Sequence, residues 1–177
     1  MKTAIVAALL ALVLGVAPVG AQDWPAKPVK IIVPFAPGST PDMVARVLAN
    51  QLQAVHAGST FIVENKPGAS GNLGTGAVAS ATPDGYTIGV SIGGPLAINT
   101  LLFSKLGYDP TKDIAPIAQL VTQPSALTVP STLNVNSVAE LLALLKAAPE
   151  KYSYGSIGVG SLSHLAMEAI AIKTSAK

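Results

Sequence analysis

Past the first twenty or so residues, short apolar runs alternate with helical patterns, each set off by Gly, Pro, Asp or Ser. Val29–Phe35 (VKIIVPF) is nearly continuous in apolar residues and bounded by prolines, the pattern of a strand covered on both faces. Then APGST leads into a helix with Thr40 as its expected cap, Pro41 at its first position and Asp42 at the positive end of its dipole. Val44, Val47, Leu48, Leu52 and Val55 recur at helical spacing and form its expected buried stripe, and Gly58 is its expected end. A second strand is expected at 60–64, and the loop NKPGASGN follows it. A small-residue helix from about Leu73 to Ala81 comes next, then a Pro83-Asp84-Gly85 turn and a third strand at 86–91. This β-α-β-α-β order is the unit of a doubly wound parallel sheet.

The later pattern is expected to continue the alternation. GPLAINTLL reads as a short helical stretch, and Gly107 to Pro110 as a surface turn. Residues 114–121 and 126–129 read as strands crossing between lobes. Ser137 and Glu140 have capping-box spacing at the head of a helix reaching Ala148, where Pro149 stops it. A strand at 152–155, a Gly/Ser loop at 156–161 and a helix at 163–172 complete the reading.

The first residues follow a different rule. Met1 and Lys2 precede a run from Ala4 to Val19 that is apolar apart from Gly15 and Pro18, and Val19-Gly20-Ala21 follows. This is the pattern of an export signal, with cleavage expected after Ala21. A membrane anchor needs ~20 apolar residues, and Pro18 interrupts this run. Residues 1–21 are therefore assigned to a signal peptide and the remainder to the periplasm.

Composition removes several classes. Charged residues make up 11% of the chain and the net charge is +2, too little for the basic face that nucleic acid requires. There are no cysteines, so neither disulfides nor a lipid-bearing thiol at the cleavage site is available. With only His56 and His164 beside them, no metal site and no cofactor are expected.

Two loops lead from an expected strand into an expected helix. One is Phe35-Ala36-Pro37-Gly38-Ser39-Thr40, the other Ser156-Ile157-Gly158-Val159-Gly160-Ser161. In a parallel sheet such loops lie at the carboxyl edge, where helix N-termini offer unpaired N–H groups to an anion. Spacing alone fits tight turns equally well. Arg46, the one arginine, lies mid-helix and is expected on a solvated face, so an anion here must rest on N–H groups, hydroxyls and water. Asp42 is expected to serve the helix dipole first and His164 to bond its preceding loop, each with ligand contact as the second role. The glycines of Gly71-Asn-Leu-Gly74-Thr-Gly76 lack the lysine of a phosphate loop and indicate close helix packing.

Gly89-Val90-Ser91-Ile92-Gly93 matches the nucleophile elbow of serine hydrolases, with Asp109 or Asp113 and then His164 in the right chain order. Gly94-Pro95 interrupts the helix that should follow at once, and no oxyanion loop precedes it. A small secreted hydrolase is therefore the alternative to a binding protein.

Four stretches carry a family resemblance: WPAKPVKIIVPFAPGSTPDMVAR, VENKPGASGNLGTGAVASATPDGYT, LGYDPTKDIAPIAQL and YSYGSIGVGSLSHLAMEAI. Together they resemble the Bug or TctC receptors, the extracytoplasmic solute receptors of tripartite tricarboxylate transporters. The resemblance implies an α/β periplasmic binding protein of type II-like architecture, with two lobes of parallel or mixed sheet flanked by helices. Residues 22–124 would form lobe one and 125–177 the start of lobe two. It implies a monomer that captures a small organic carboxylate and delivers it to membrane permease subunits, without catalysis. By the same resemblance, Phe35, Ala36, Pro37, Gly38, Ser39 and Asp42 face the cleft. Opposite them stand Ser156, Gly158, Gly160, Ser161 and His164, and Ser91 and Gly93 form a third lining segment. Ser39 stands where a second glycine is usual and Ser163 where proline is common. Members of that family run well past the last helix, so a truncated receptor is expected, with a disrupted, non-functional product as the further alternative.

Overall fold

The computed structural model describes residues 23–148 and 150–174, so the expected signal peptide and its cleavage site lie outside the described residues. Three parallel strands form the sheet, in the order β2-β1-β3. They are β1 (Val29–Val33), β2 (Phe61–Asn65) and β3 (Thr87–Gly89), with Ile31 of β1 opposite Val63 and Ile88. The central strand is the most apolar, and Val29, Ile31 and Val33 are fully buried. Pro34 ends β1, since proline cannot donate to a ladder.

Helix α1 (Thr40–Val55) packs on β1 and β2. Its buried face is Ala45 and Ala49, flanked by half-buried Val44, Leu48 and Leu52, whereas Val47 and Val55 are exposed. The expected stripe was too wide, because small alanines let the helix sit close and turn its outer valines to solvent. Its cap is Ser39 rather than Thr40, and His56 closes it ahead of Gly58. Helix α2 (Asn72–Ala79) follows a tight turn at Ala69–Gly71 and lies against β1 and β3.

After β3 the chain makes a wide helical turn at Gly94–Ile98 and one α-turn, α3 (Asn99–Leu102). The expected strands at 114–121, 126–129 and 152–155 are not formed, and residues 115–131 are exposed throughout. Pro116 removes a ladder donor from the first, Pro124 and Pro130 flank the second, and no partner strand lies beside any of the three among the described residues. Tyr108, expected in a surface turn, is buried.

Helix α4 (Val138–Ala147) begins with half of the expected capping box, since Glu140 reaches back to Asn136 rather than to the Ser137 N–H. The Glu140 N–H donates to Ser137 Oγ at 3.2 Å, and Glu140 Oε2 accepts from the Asn136 N–H at 2.6 Å. Helix α5 (Leu162–Thr174) closes the described chain.

Candidate functional site

The loops after all three strands meet at one edge of the sheet, as the parallel order requires. Phe35 comes from the β1 loop, Ser70 from the β2 loop, and Ile92, Gly94 and Pro95 from the segment after β3. Gly158, Val159 and Ser161 of the Gly/Ser loop stand across from them. Together they line a shallow, open niche. Of the residues expected to face the cleft, Phe35, Gly158 and Ser161 line the niche, whereas Ala36, Pro37, Gly38, Ser39, Asp42, Ser91, Gly93, Ser156, Gly160 and His164 do not, and after β3 the lining falls on Ile92, Gly94 and Pro95.

The β1 loop is held by Asp42, which is only 2% exposed. Its Oδ2 accepts from the Gly38 N–H at 2.8 Å and from Arg46 Nε at 3.0 Å. Its Oδ1 faces Arg46 Nη2 at 3.0 Å and accepts from Asn65 Nδ2 at 2.9 Å. Asn65 also donates to the Phe35 carbonyl at 3.0 Å. Arg46, half exposed as expected of a solvated face, therefore also grips Asp42 with two nitrogens. Both carboxylate oxygens are occupied, so Asp42 fixes the loop that carries Phe35, Ala36, Pro37, Gly38 and Ser39. Gly38 has φ +81°, where a side chain would be strained.

The Arg46 guanidinium, then the Gly38 N–H and Asn65, hold the Asp42 carboxyl at about 2, below its ordinary 3.8. A depressed value means that the carboxylate's contribution to stability is complete above about pH 4 and is lost as the pH falls through 2. Asp42→Asn cannot serve these donors. Its urea midpoint at pH 7 is expected to fall clearly below wild type, with the gap closing between pH 4 and pH 2. A gap of constant size across that range would refute the assignment.

The Gly/Ser loop is bonded mainly within itself. The Gly158 N–H donates to Ser156 Oγ at 3.3 Å, and the Ser161 N–H to the Gly158 carbonyl at 3.1 Å. His164, in the first turn of α5, accepts the Gly160 N–H on Nδ1 at 3.2 Å and donates its own N–H to Ser161 Oγ at 3.3 Å. Its first role is therefore to shape the loop. Ser161 is buried and its hydroxyl pairs with Ser163 at 3.0 Å.

Ser91 Oγ is buried and has no hydrogen-bond partner among the described residues. An activated serine needs a base within reach, and Ser91 has none. Asp109 is spent on its own turn. Its Oδ1 accepts from the N–H and hydroxyl of Thr111, and Lys112 lies 2.8 Å from Oδ2. The Lys112 ammonium, followed by the Thr111 contacts, depresses the Asp109 carboxyl. These partners remove the geometry of the hydrolase alternative.

Four residues near the niche were not anticipated: Ser70, Asn72, Asn99 and Tyr108. Asn99 Nδ2 donates to the Ser70 carbonyl at 3.2 Å and to Asn72 Oδ1 at 2.6 Å. The Tyr108 hydroxyl lies 2.7 Å from the Pro95 carbonyl and 3.1 Å from Asn72 Oδ1, and burial pushes its pKa up. Ser70 alone could have been suspected, from its place in a loop at the carboxyl edge.

Residues 44–177 match the model of the tripartite tricarboxylate transporter family receptor. The chain belongs to that family. Protein BugT of Bordetella pertussis is 37% identical over 161 residues, 90% of this chain and 49% of that protein. A protein of Cupriavidus necator is 35% identical over 174 residues, 97% of this chain and 52% of its own length. Among solved structures, an R. palustris protein with adipate superposes with TM-score 0.83 at 37% identity, over 88% of this chain and 52% of that one. MatC from Rhodopseudomonas palustris with bound malate gives 0.79 at 29%, over 87% and 52%. The chain thus spans about half the length of the relatives that it matches. The expected parallel sheet flanked by helices agrees with these receptors.

Proposed function

We propose that this chain supplies the carboxylate-gripping edge of a periplasmic solute receptor, with lobe one at residues 22–124 and lobe two beginning at 125. The receptor captures a small aliphatic carboxylate and hands it to the membrane permease subunits of a tripartite transporter, without chemical change. One observation carries this reading: strand-end loops and the Gly/Ser loop converge on a single niche whose lining side chains include hydroxyls but no charged group.

Such a lining treats the two ends of a ligand differently. The hydroxyls of Ser70 and Ser161 suit a carboxylate, to which charge-assisted hydrogen bonds are about twice as strong as neutral ones. Phe35, Ile92, Pro95 and Val159 suit a hydrocarbon chain. The likeness to proteins holding adipate and malate supports the same ligand class. Phe35, Ala36, Pro37, Gly38, Ser39, Ser91, Gly93, Ser156, Gly158, Gly160, Ser161 and His164 remain the proposed cleft-facing set. Asp42 is reassigned from ligand contact to support of the first loop.

The test is a titration of the chain with adipate, malate and hexanoate, followed by amide chemical shifts. Binding at the millimolar level, worth only ~4 kcal/mol, is expected to move the amides of Gly38, Ser70, Gly158 and Ser161 together. Shifts scattered over the surface, or none with any of the three acids, would overturn the reading.

A further inference from the structure

Asn99 is fully buried and its side chain faces two loops at once. On one side both of its N–H bonds are used, on the Ser70 carbonyl and on Asn72 Oδ1. On the other, its Oδ1 is buried without a hydrogen-bond partner. A Cβ placed on Gly160 would come within 2.6 Å of that oxygen and 2.9 Å of Leu102 Cδ1. Gly160 therefore lies directly on the Asn99 amide, with φ +79°.

The loop that Asn99 holds from the other side is strained. Gly68, Ala69, Ser70 and Gly71 all have positive φ, at +129°, +47°, +57° and +87°. A left-handed alanine and serine in succession persist only where neighbours over-determine them. The local turn bond from the Gly71 N–H to the Gly68 carbonyl is one constraint, and the Asn99 amide on the Ser70 carbonyl is another. An unpaired buried oxygen is costly, so this amide is kept in place by what its nitrogen and its contact surface do.

We propose that Asn99 is a positioning residue of the niche, which ties the strained Gly68–Gly71 loop to the Gly158–Ser161 loop so that the two walls keep one spacing. Asn72 and Tyr108 brace it, since Asn72 Oδ1 receives Asn99 and lies 3.1 Å from the Tyr108 hydroxyl. The value of the spacing for binding rests on the receptor reading above, but the spacing itself can be tested with no ligand present.

The experiment is amide hydrogen exchange on the whole chain. In Asn99→Ala the amides of Gly160, Ser161 and Gly71 are expected to exchange ~10-fold faster, while Ile31 and Ile32 in β1 stay unchanged, a local opening rather than a global one. Tyr108→Phe, which deletes one oxygen, is expected to speed the same amides by ~3-fold. A residue that merely fills the core would speed β1 equally, and that result, or no change at Gly160 and Ser161, overturns the proposal. Should Asn99→Ala fail to fold, Tyr108→Phe decides: acceleration confined to the two loops supports the role, and uniform or absent acceleration ends it.

Discussion

Gly74→Ala is expected to cost ~2 kcal/mol or more of stability, whereas Gly76→Ala, two residues along the same helix, is expected to be neutral or to gain ~0.5–1 kcal/mol. A Cβ on Gly74 would lie 2.6 Å from Pro34 Cα, 2.7 Å from Pro34 Cβ and 2.8 Å from the Lys66 carbonyl. All three belong to, or are fixed by, the backbone at the ends of β1 and β2, and none can rotate away. Helix α2 must back off instead, and it carries with it the Gly68–Gly71 turn and Ser70. A Cβ on Gly76 meets only Tyr108 Cδ1 at 3.6 Å, ordinary contact, and the helix gains the better helix former. Native-state exchange at the amides of Ile31 and Val33 gives both numbers on one scale. Equal effects at the two positions would show that close approach of α2 to the sheet is not what Gly74 provides.

Residues 22–177, the segment left by the expected cleavage, should melt over a broad range and bind a hydrophobic dye. Beta2 and β3 each have one neighbour, so both outer edges of the sheet are unpaired among the described residues. Leu101 is 87% exposed, Ile117 84%, Ile172 78% and Val55 77%. Each forgoes ~1.5–3 kcal/mol of burial, a large share of the ~5–15 kcal/mol by which an intact domain is stable. The β-α-β-α-β unit retains its buried core of β1 and α1. Residues 115–131, exposed and without secondary structure before Ser131, should loosen at lower temperature. Calorimetry is the measurement, and one sharp transition with calorimetric and van't Hoff enthalpies in agreement, together with micromolar carboxylate binding, would refute the account.

The elements that were legible in the sequence are those that satisfy themselves locally or with the next segment along. VKIIV is apolar at every position but one, and Pro34 bounds it on one side. Ser137 and Glu140 cap their own helix. The strands expected at 114–121, 126–129 and 152–155 did not form because a strand is a relation between segments, and an apolar run does not reveal whether a partner lies beside it. The niche was half legible for the same reason. Parallel topology brings the loops after β1, β2 and β3 to one edge, which the alternation of elements implied, whereas the Ser161 loop follows no strand and reaches that edge by packing alone. Asp42 and Arg46 stand at i,i+4 spacing, and an arginine on a solvated face can still reach back one turn to such a carboxylate. Nothing local joins Asn65 to Asp42, or Asn99 to Ser70 and Gly160; those contacts exist only after the loops have met.

The two walls of the niche are built to different stiffness, and this has an entropic consequence. Asp42 takes the Gly38 N–H on Oδ2 and Asn65 on Oδ1, and Asn65 holds the Phe35 carbonyl, so the first loop is ordered on folding, before any ligand arrives. The opposite loop rests on single hydroxyl and imidazole contacts that a ligand can exchange for its own. A series of carboxylates should therefore meet the first wall as a fixed template and differ mainly in how far each quiets the second. Variation among them would then appear in lifetimes of the bound state rather than in rates of arrival, with a heat signature that tracks loop ordering more than contact area.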